Sequence, residues 1–164
     1  MKCRPVKTQK GTTTVEFAIV GAVIFLTMFA VMEAGRLLYT WGVLNEASRR
    51  AARLATVCLV DDVQGGVVAG QVAQQLGGSL PGFVPANLVF EYLDTTGGTL
   101  AAPEGADFNS IRYVRSQIVN YQYQMILPLT VDLSMLAPDF ASTLRAESLG
   151  VTKFGDISCD TGGA

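Results

Sequence analysis

The chain has 164 residues, 49% hydrophobic and only 16% charged, which is too apolar for a disordered tail and suits one domain plus an appendage. It has no histidine, which excludes Ser-His and Cys-His nucleophile pairs and His-containing zinc sites. Its three cysteines form no C-x-x-C pair, and a formal net charge of −2 supplies no overall attraction to nucleic acid.

Charge is unevenly spread. Residues 1–11 hold Lys2, Arg4, Lys7 and Lys10 and no acid; setting these four aside leaves 8 bases against 14 acids in the remainder. Phe17 to Met32 is then a run of 16 residues without a charge, 14 of them apolar. As a helix this run covers ~24 Å, and Thr12 to Met32 ~32 Å, about the thickness of a bilayer core. A basic head before such a run has three readings: a secretory signal peptide, an uncleaved membrane anchor, or a prepilin. The signal-peptide exit at Met32-Glu33-Ala34 is poor. Four basic residues precede the run and Arg36, Arg49, Arg50 and Arg53 follow it. The denser, earlier cluster places the head in the cytoplasm.

Glu16 stands at the start of the apolar run, five residues after Gly11, in Lys10-Gly11-Thr12-Thr13-Thr14-Val15-Glu16-Phe17. An acid within a membrane helix is costly and normally has a partner. A basic leader ending in Gly, with Glu-Phe five and six residues on, resembles a prepilin of the type IV superfamily. Val15-Glu16-Phe17-Ala18-Ile19-Val20, Glu33-Ala34-Gly35-Arg36, Leu44-Asn45-Glu46-Ala47-Ser48-Arg49 and Ala51-Ala52-Arg53 narrow the resemblance. They are similar to TadE-like minor pilins of the tight-adherence (Tad) system, over residues 11–58.

The resemblance implies cleavage by a prepilin peptidase between Gly11 and Thr12. It also implies a role for Glu16 and Phe17 in subunit assembly, the carboxylate attracting a neighbour's new α-amine. It marks Glu33, Gly35, Arg36, Asn45, Arg49 and Arg53 as helix-motif residues. The implied product is a minor pilin (pseudopilin) that builds or tips a Tad-type pilus or secretion apparatus for surface adherence. Its implied partners are the prepilin peptidase, the major pilin, other minor pilins, the inner-membrane assembly platform and membrane lipid. It would sit in the bacterial inner membrane with a periplasmic C-terminal domain, or in the extracellular pilus after assembly. Such helices often carry an early proline; here Ala22 follows Gly21 instead, which allows only a weaker bend. The alternatives are an unprocessed single-pass protein with a periplasmic binding domain, and a secreted wall- or carbohydrate-binding module.

Beyond Glu33 the pattern is amphipathic. Glu46, Arg49, Arg50 and Arg53 share one face, and Leu44, Ala47, Ser48, Ala51, Ala55 and Cys58 the opposite one. One helix is predicted from about Thr13 to about Cys58, broken by Asp61-Asp62 and Gly65-Gly66. The three arginines, without interleaved aromatics, read as a solvated face and not a nucleic-acid site. Ala18, Ala22, Ala30 and Ala34 permit close helix contact. The predicted organisation is a leader (1–11), a membrane or filament-core helix (12–33), its amphipathic continuation (34–58) and a small extracytoplasmic domain (59–164).

In that domain Val67–Leu76 reads as a short helix. Leu88, Phe90 and Tyr92 alternate as a strand. Val119, Tyr121, Tyr123 and Met125 alternate with Asn120, Gln122 and Gln124 as a second strand, ended by Pro128. The tyrosine face reads as core. Leu133–Phe140 reads as a turn or short helix around Pro138, and Leu144, Ala146 and Ser148 as a last strand. The predicted class is α+β: a long N-terminal helix with a small three- or four-stranded antiparallel sheet on its distal half.

Processing would remove Cys3 and leave Cys58 and Cys159, which are predicted to pair in an oxidising exterior. In the chain-entropy account a loop of about 100 residues is worth up to ~4–5 kcal/mol. No P-loop, Rossmann fingerprint or calcium loop is present, and the paired acids lack a partner set. The expectation is a protein that is not an enzyme and needs no cofactor or metal.

Overall fold

A computed structural model describes residues 12–126, 130–132, 140–156, 158 and 159. Helix α1 (Thr12–Val57) is 46 residues long. The chain divides into two units, one ending at Leu38 and one beginning at Tyr39, so α1 contributes to both.

The described residues of the first unit are all helix, and none from Thr13 to Leu38 is buried. The second unit holds the fold. Its helix residues Leu44, Ala47, Ala51, Ala52 and Ala55 are buried, as are Ser48 and, just past the helix end, Cys58, while Glu46, Arg49, Arg50 and Arg53 are exposed. The predicted faces are therefore the observed ones. Small side chains on the inner face let a sheet approach the helix backbone closely: the Ser116 hydroxyl, fully buried, donates to the Ser48 carbonyl.

The chain leaves α1 a little earlier than the predicted Asp61-Asp62 break. It turns at Cys58-Leu59 and forms the short α2 (Val60–Gln64), with both aspartates in its first turn, where acids favour the helix dipole. Gly66, at φ 83, links α2 to α3 (Val67–Leu76), the predicted second helix. Val68, Ala69, Val72, Ala73 and Leu76 form its buried face.

The main sheet is antiparallel with order β1-β2-β5, built from β1 (Leu88–Leu93), β2 (Tyr113–Ile118) and β5 (Ala141–Arg145). Leu88 faces Ile118 across β1 and β2, and Tyr113 faces Arg145 across β2 and β5. Glu91 lies opposite Arg115, with their charged groups 3.6 Å apart. Two small ladders complete the β structure: β3 (Gln122–Gln124) with β4 (Thr130–Asp132), and β6 (Val151–Thr152) with β7 (Gly155–Asp156). The fold class is α+β, a long helix with a three-stranded antiparallel sheet packed on its distal part.

The strand predicted at Val119–Met125 is the main correction. The sheet's central strand is β2, just before it. Val119 donates to the Asn87 carbonyl at 2.8 Å, and Asn120, at φ 55, breaks the extended run. Tyr121 and Tyr123 are nevertheless buried, and Gln122 and Gln124 exposed, as their alternation predicts. The last strand begins earlier than predicted, at Ala141. The leader, Pro128 and residues 133–139 lie outside the described residues.

Candidate functional site

The residues singled out by the sequence do not converge on a pocket. They are spread along α1, and their roles differ by position.

Thr12 opens the helix, and Gly11 lies outside the described residues. Glu16 is exposed one turn into α1, and no described residue forms an ion pair with it. Around and after it the helix presents large apolar side chains: Phe17 is 79% exposed, Leu26 69% and Val31 73%. An 18-residue window here has a mean hydropathy of 2.4, with none of it buried. So long an exposed apolar surface is untenable in water and marks membrane or protein contact. The single hydroxyl donor near its middle is already satisfied, since Thr27 Oγ1 donates to the Ile24 carbonyl at 2.8 Å. Gly21 and Gly35 have open space where a Cβ would sit, so they are not there to admit a neighbour within this chain.

At the end of the apolar run Arg36 bonds Glu33 at 3.4 Å, an i, i+3 pair. Asn45 turns inward to its own helix, its Nδ2 donating to the Trp41 carbonyl at 3.0 Å. Arg50 holds Glu46 at 2.9 Å. That hydrogen bond, followed by the charges of Arg50, Arg49 and Arg53, keeps the Glu46 carboxyl below its ordinary range. Arg49 and Arg53 are exposed and form no ion pair among the described residues.

Cys58 and Cys159 are joined by a disulfide, with Cα atoms 5.4 Å apart. The sequence missed what supports it. Asp62, read there only as part of a helix break, accepts from the Cys159 backbone N–H at 2.7 Å and the Ser158 hydroxyl at 2.9 Å. Gln71 Nε2 donates to the Cys159 carbonyl. These contacts span about 90 residues, and no local pattern announces them. The sequence also missed a groove between the last turn of α1 and β5, lined in part by Arg53 and Arg145.

The class defined by these features is a protein whose N-terminal helix is long and apolar enough to cross a membrane and is followed by a small α+β body. Residues 11–53 match the family model described as TadE-like protein, which is consistent with a TadE-like pilin-type protein. Residues 54–164 lie beyond that match. Searches of curated proteins and of solved structures find no match.

Proposed function

We propose that this chain is a minor pilin of a Tad-type pilus or a related secretion apparatus, acting as a structural subunit and not as an enzyme. A prepilin peptidase removes residues 1–11 on the cytoplasmic side, and Thr12 becomes the new N-terminus. The apolar helix first holds the subunit in the inner membrane, with the body in the periplasm. It then enters a bundle with the major pilin and other minor pilins, delivered by the membrane platform.

The observation that carries this reading is Glu16: an exposed carboxylate without an ion pair among the described residues, at the head of an exposed apolar helix, within the TadE-like match. In a dry helix bundle an unpaired carboxylate is strongly unfavourable. A neighbour's α-ammonium is the partner that cleavage after Gly11 creates. Its attraction sets the depth at which one helix joins the next.

The test is the mature N-terminus of protein recovered from its native membrane. It is expected to begin at Thr12, and Gly11→Ala is expected to retain the leader. Glu16→Ala is expected to be trimmed normally and to enter filaments at least about tenfold less, as the loss of a buried charge pair predicts. A working protein that begins at Met1 would make the chain an unprocessed anchor; one that begins beyond Met32 would make it a secreted module.

A further inference from the structure

Strand β5 is an edge of the main sheet. Ala146 donates to the Arg112 carbonyl at 2.9 Å, and Ile118 donates to the Phe140 carbonyl at 3.0 Å. Within the same register Leu144 faces Val114, and Ser142 faces Ser116. Bonded and non-bonded pairs alternate in an antiparallel ladder. Residues 140, 142, 144 and 146 therefore turn their backbone groups to β2, and Ala141, Thr143 and Arg145 turn theirs outward. Among the described residues no strand lies on that side.

Beside this edge runs the groove against the last turns of α1. Leu54, Val57, Leu144 and Ala146 give it an apolar floor, and its charged lining residues are Arg53, Arg145 and Glu147. Neither arginine forms an ion pair among the described residues, and nor does Arg49, one turn before Arg53. The end of the groove is fixed. Leu149 donates to the Thr56 carbonyl at 3.1 Å, the Ser148 hydroxyl donates to the Val57 carbonyl at 3.4 Å, and Cys58 is cross-linked to Cys159.

We propose that this edge and groove dock an extended acidic segment of a partner polypeptide, which adds to β5 as a fourth strand. The edge offers donors and acceptors in alternation, and another extended backbone is the matching chemistry; an anionic headgroup could only accept. Alternate side chains of the added strand face the helix and enter the groove, which takes apolar residues. The side chains that alternate with these lie on the sheet face shared by Arg145, whose guanidinium selects carboxylates there, while Arg53, on the exposed face of α1, adds to the positive field beside the groove. Unpaired cations stand out on a chain whose residues after the leader are mostly acidic in balance. The inference does not depend on leader removal or on the pilin reading.

The test uses the full chain, isotope-labelled, in neutral detergent micelles. The probe is a blocked heptapeptide alternating Glu and Val, compared with a Lys and Val version and with an N-methylated Glu and Val version. The acidic peptide is expected to shift the signals of residues 53–57 and 141–147. It is also expected to slow amide exchange at Thr143 and Arg145. Affinity is expected to fall at least about tenfold for the Lys version, the N-methylated version and the Arg53→Glu/Arg145→Glu double variant, in line with lost charge pairs and strand bonds. Both arginines are exposed, so the double variant keeps its fold. Equal affinity for any of the three overturns the proposal. So does protection of Thr143 and Arg145 in the peptide-free protein, which would mean that this chain or a second copy occupies the edge. Reproduction of the same shifts by phosphatidylglycerol alone would assign the groove to lipid.

Discussion

Tyr92 and Asp94 lie two residues apart and illustrate opposite fates of a polar side chain. The Tyr92 ring is buried in a cluster with Cys58, Val63, Val68, Ile111 and Val114, and its hydroxyl has no hydrogen-bond partner among the described residues. Burial first, and then the charges of Glu104 and Asp61, push its phenol far above the ordinary range. Tyr92→Phe removes an orphaned polar atom and keeps the ring. It is expected to stabilise the body by about 1 kcal/mol, roughly 3–5 °C in Tm by thermal unfolding. Asp94, in contrast, accepts from the Thr96 hydroxyl and backbone N–H at 2.7 Å each and from the Gly98 N–H at 2.9 Å. These bonds, that from the Thr96 side chain foremost, hold its carboxyl below the usual range. A lowered folded-state pKa contributes stability that is present above the unfolded value and lost as pH falls through the folded one. The protection factors of the Thr96 and Gly98 amides are therefore expected to fall on acidification below about pH 4, and to lose that dependence in Asp94→Asn. The turn itself was legible, because Thr96-Gly97-Gly98 is turn chemistry. The stranded hydroxyl was not, since alternation says that Tyr92 faces inward but not what meets its oxygen.

At the scale of elements, legibility follows the purity of the pattern. The distal part of α1 was readable because its small and apolar residues recur at helical spacing against a face of Glu46 and three arginines. Strand β2 was hidden because Ser116 stands at the centre of its inward face. That hydroxyl belongs there only because a helix carbonyl, that of Ser48, waits opposite to accept from it. The Val119–Met125 alternation was real as a burial pattern and wrong as a continuous strand, since a backbone turn at Asn120 leaves the side-chain faces in place. Another turn is tighter still. Leu149 and Gly150 have φ 48 and 76, and a Cβ on Gly150 would lie 2.5 Å from the Leu59 nitrogen. Gly150→Ala combines left-handed strain with a backbone clash. It is expected to cost at least about 2–3 kcal/mol, read as a lower urea midpoint with unchanged m.

At the scale of the molecule, every buried residue among those described lies at or after Thr40, and the large exposed apolar side chains of α1 crowd into its earlier part. The two units thus have different solvents. A variant beginning at Tyr39 is expected to fold without detergent and to keep its near-UV CD signal, while the full chain requires a micelle or bilayer. Precipitation of the shortened form, or loss of that signal, would show that the apolar helix is needed for the fold. That the N-terminal helix is long and apolar enough to cross a membrane was readable from the sequence, because length and hydropathy define this without tertiary context. The groove beside β5 was not, because it joins residues near position 54 with residues near 145, and nothing local connects them.

The cross-link between Cys58 and Cys159 also fixes an order of events. The two half-cystines are separated by 101 positions. At about 5–20 residues per second, a ribosome takes roughly 5–20 s to make the second after the first. Throughout that interval the thiol at the helix end lacks its partner. Final closure of the body therefore waits until Cys159 has been made, and a chain truncated before it is left with an open loop and a reactive sulfur.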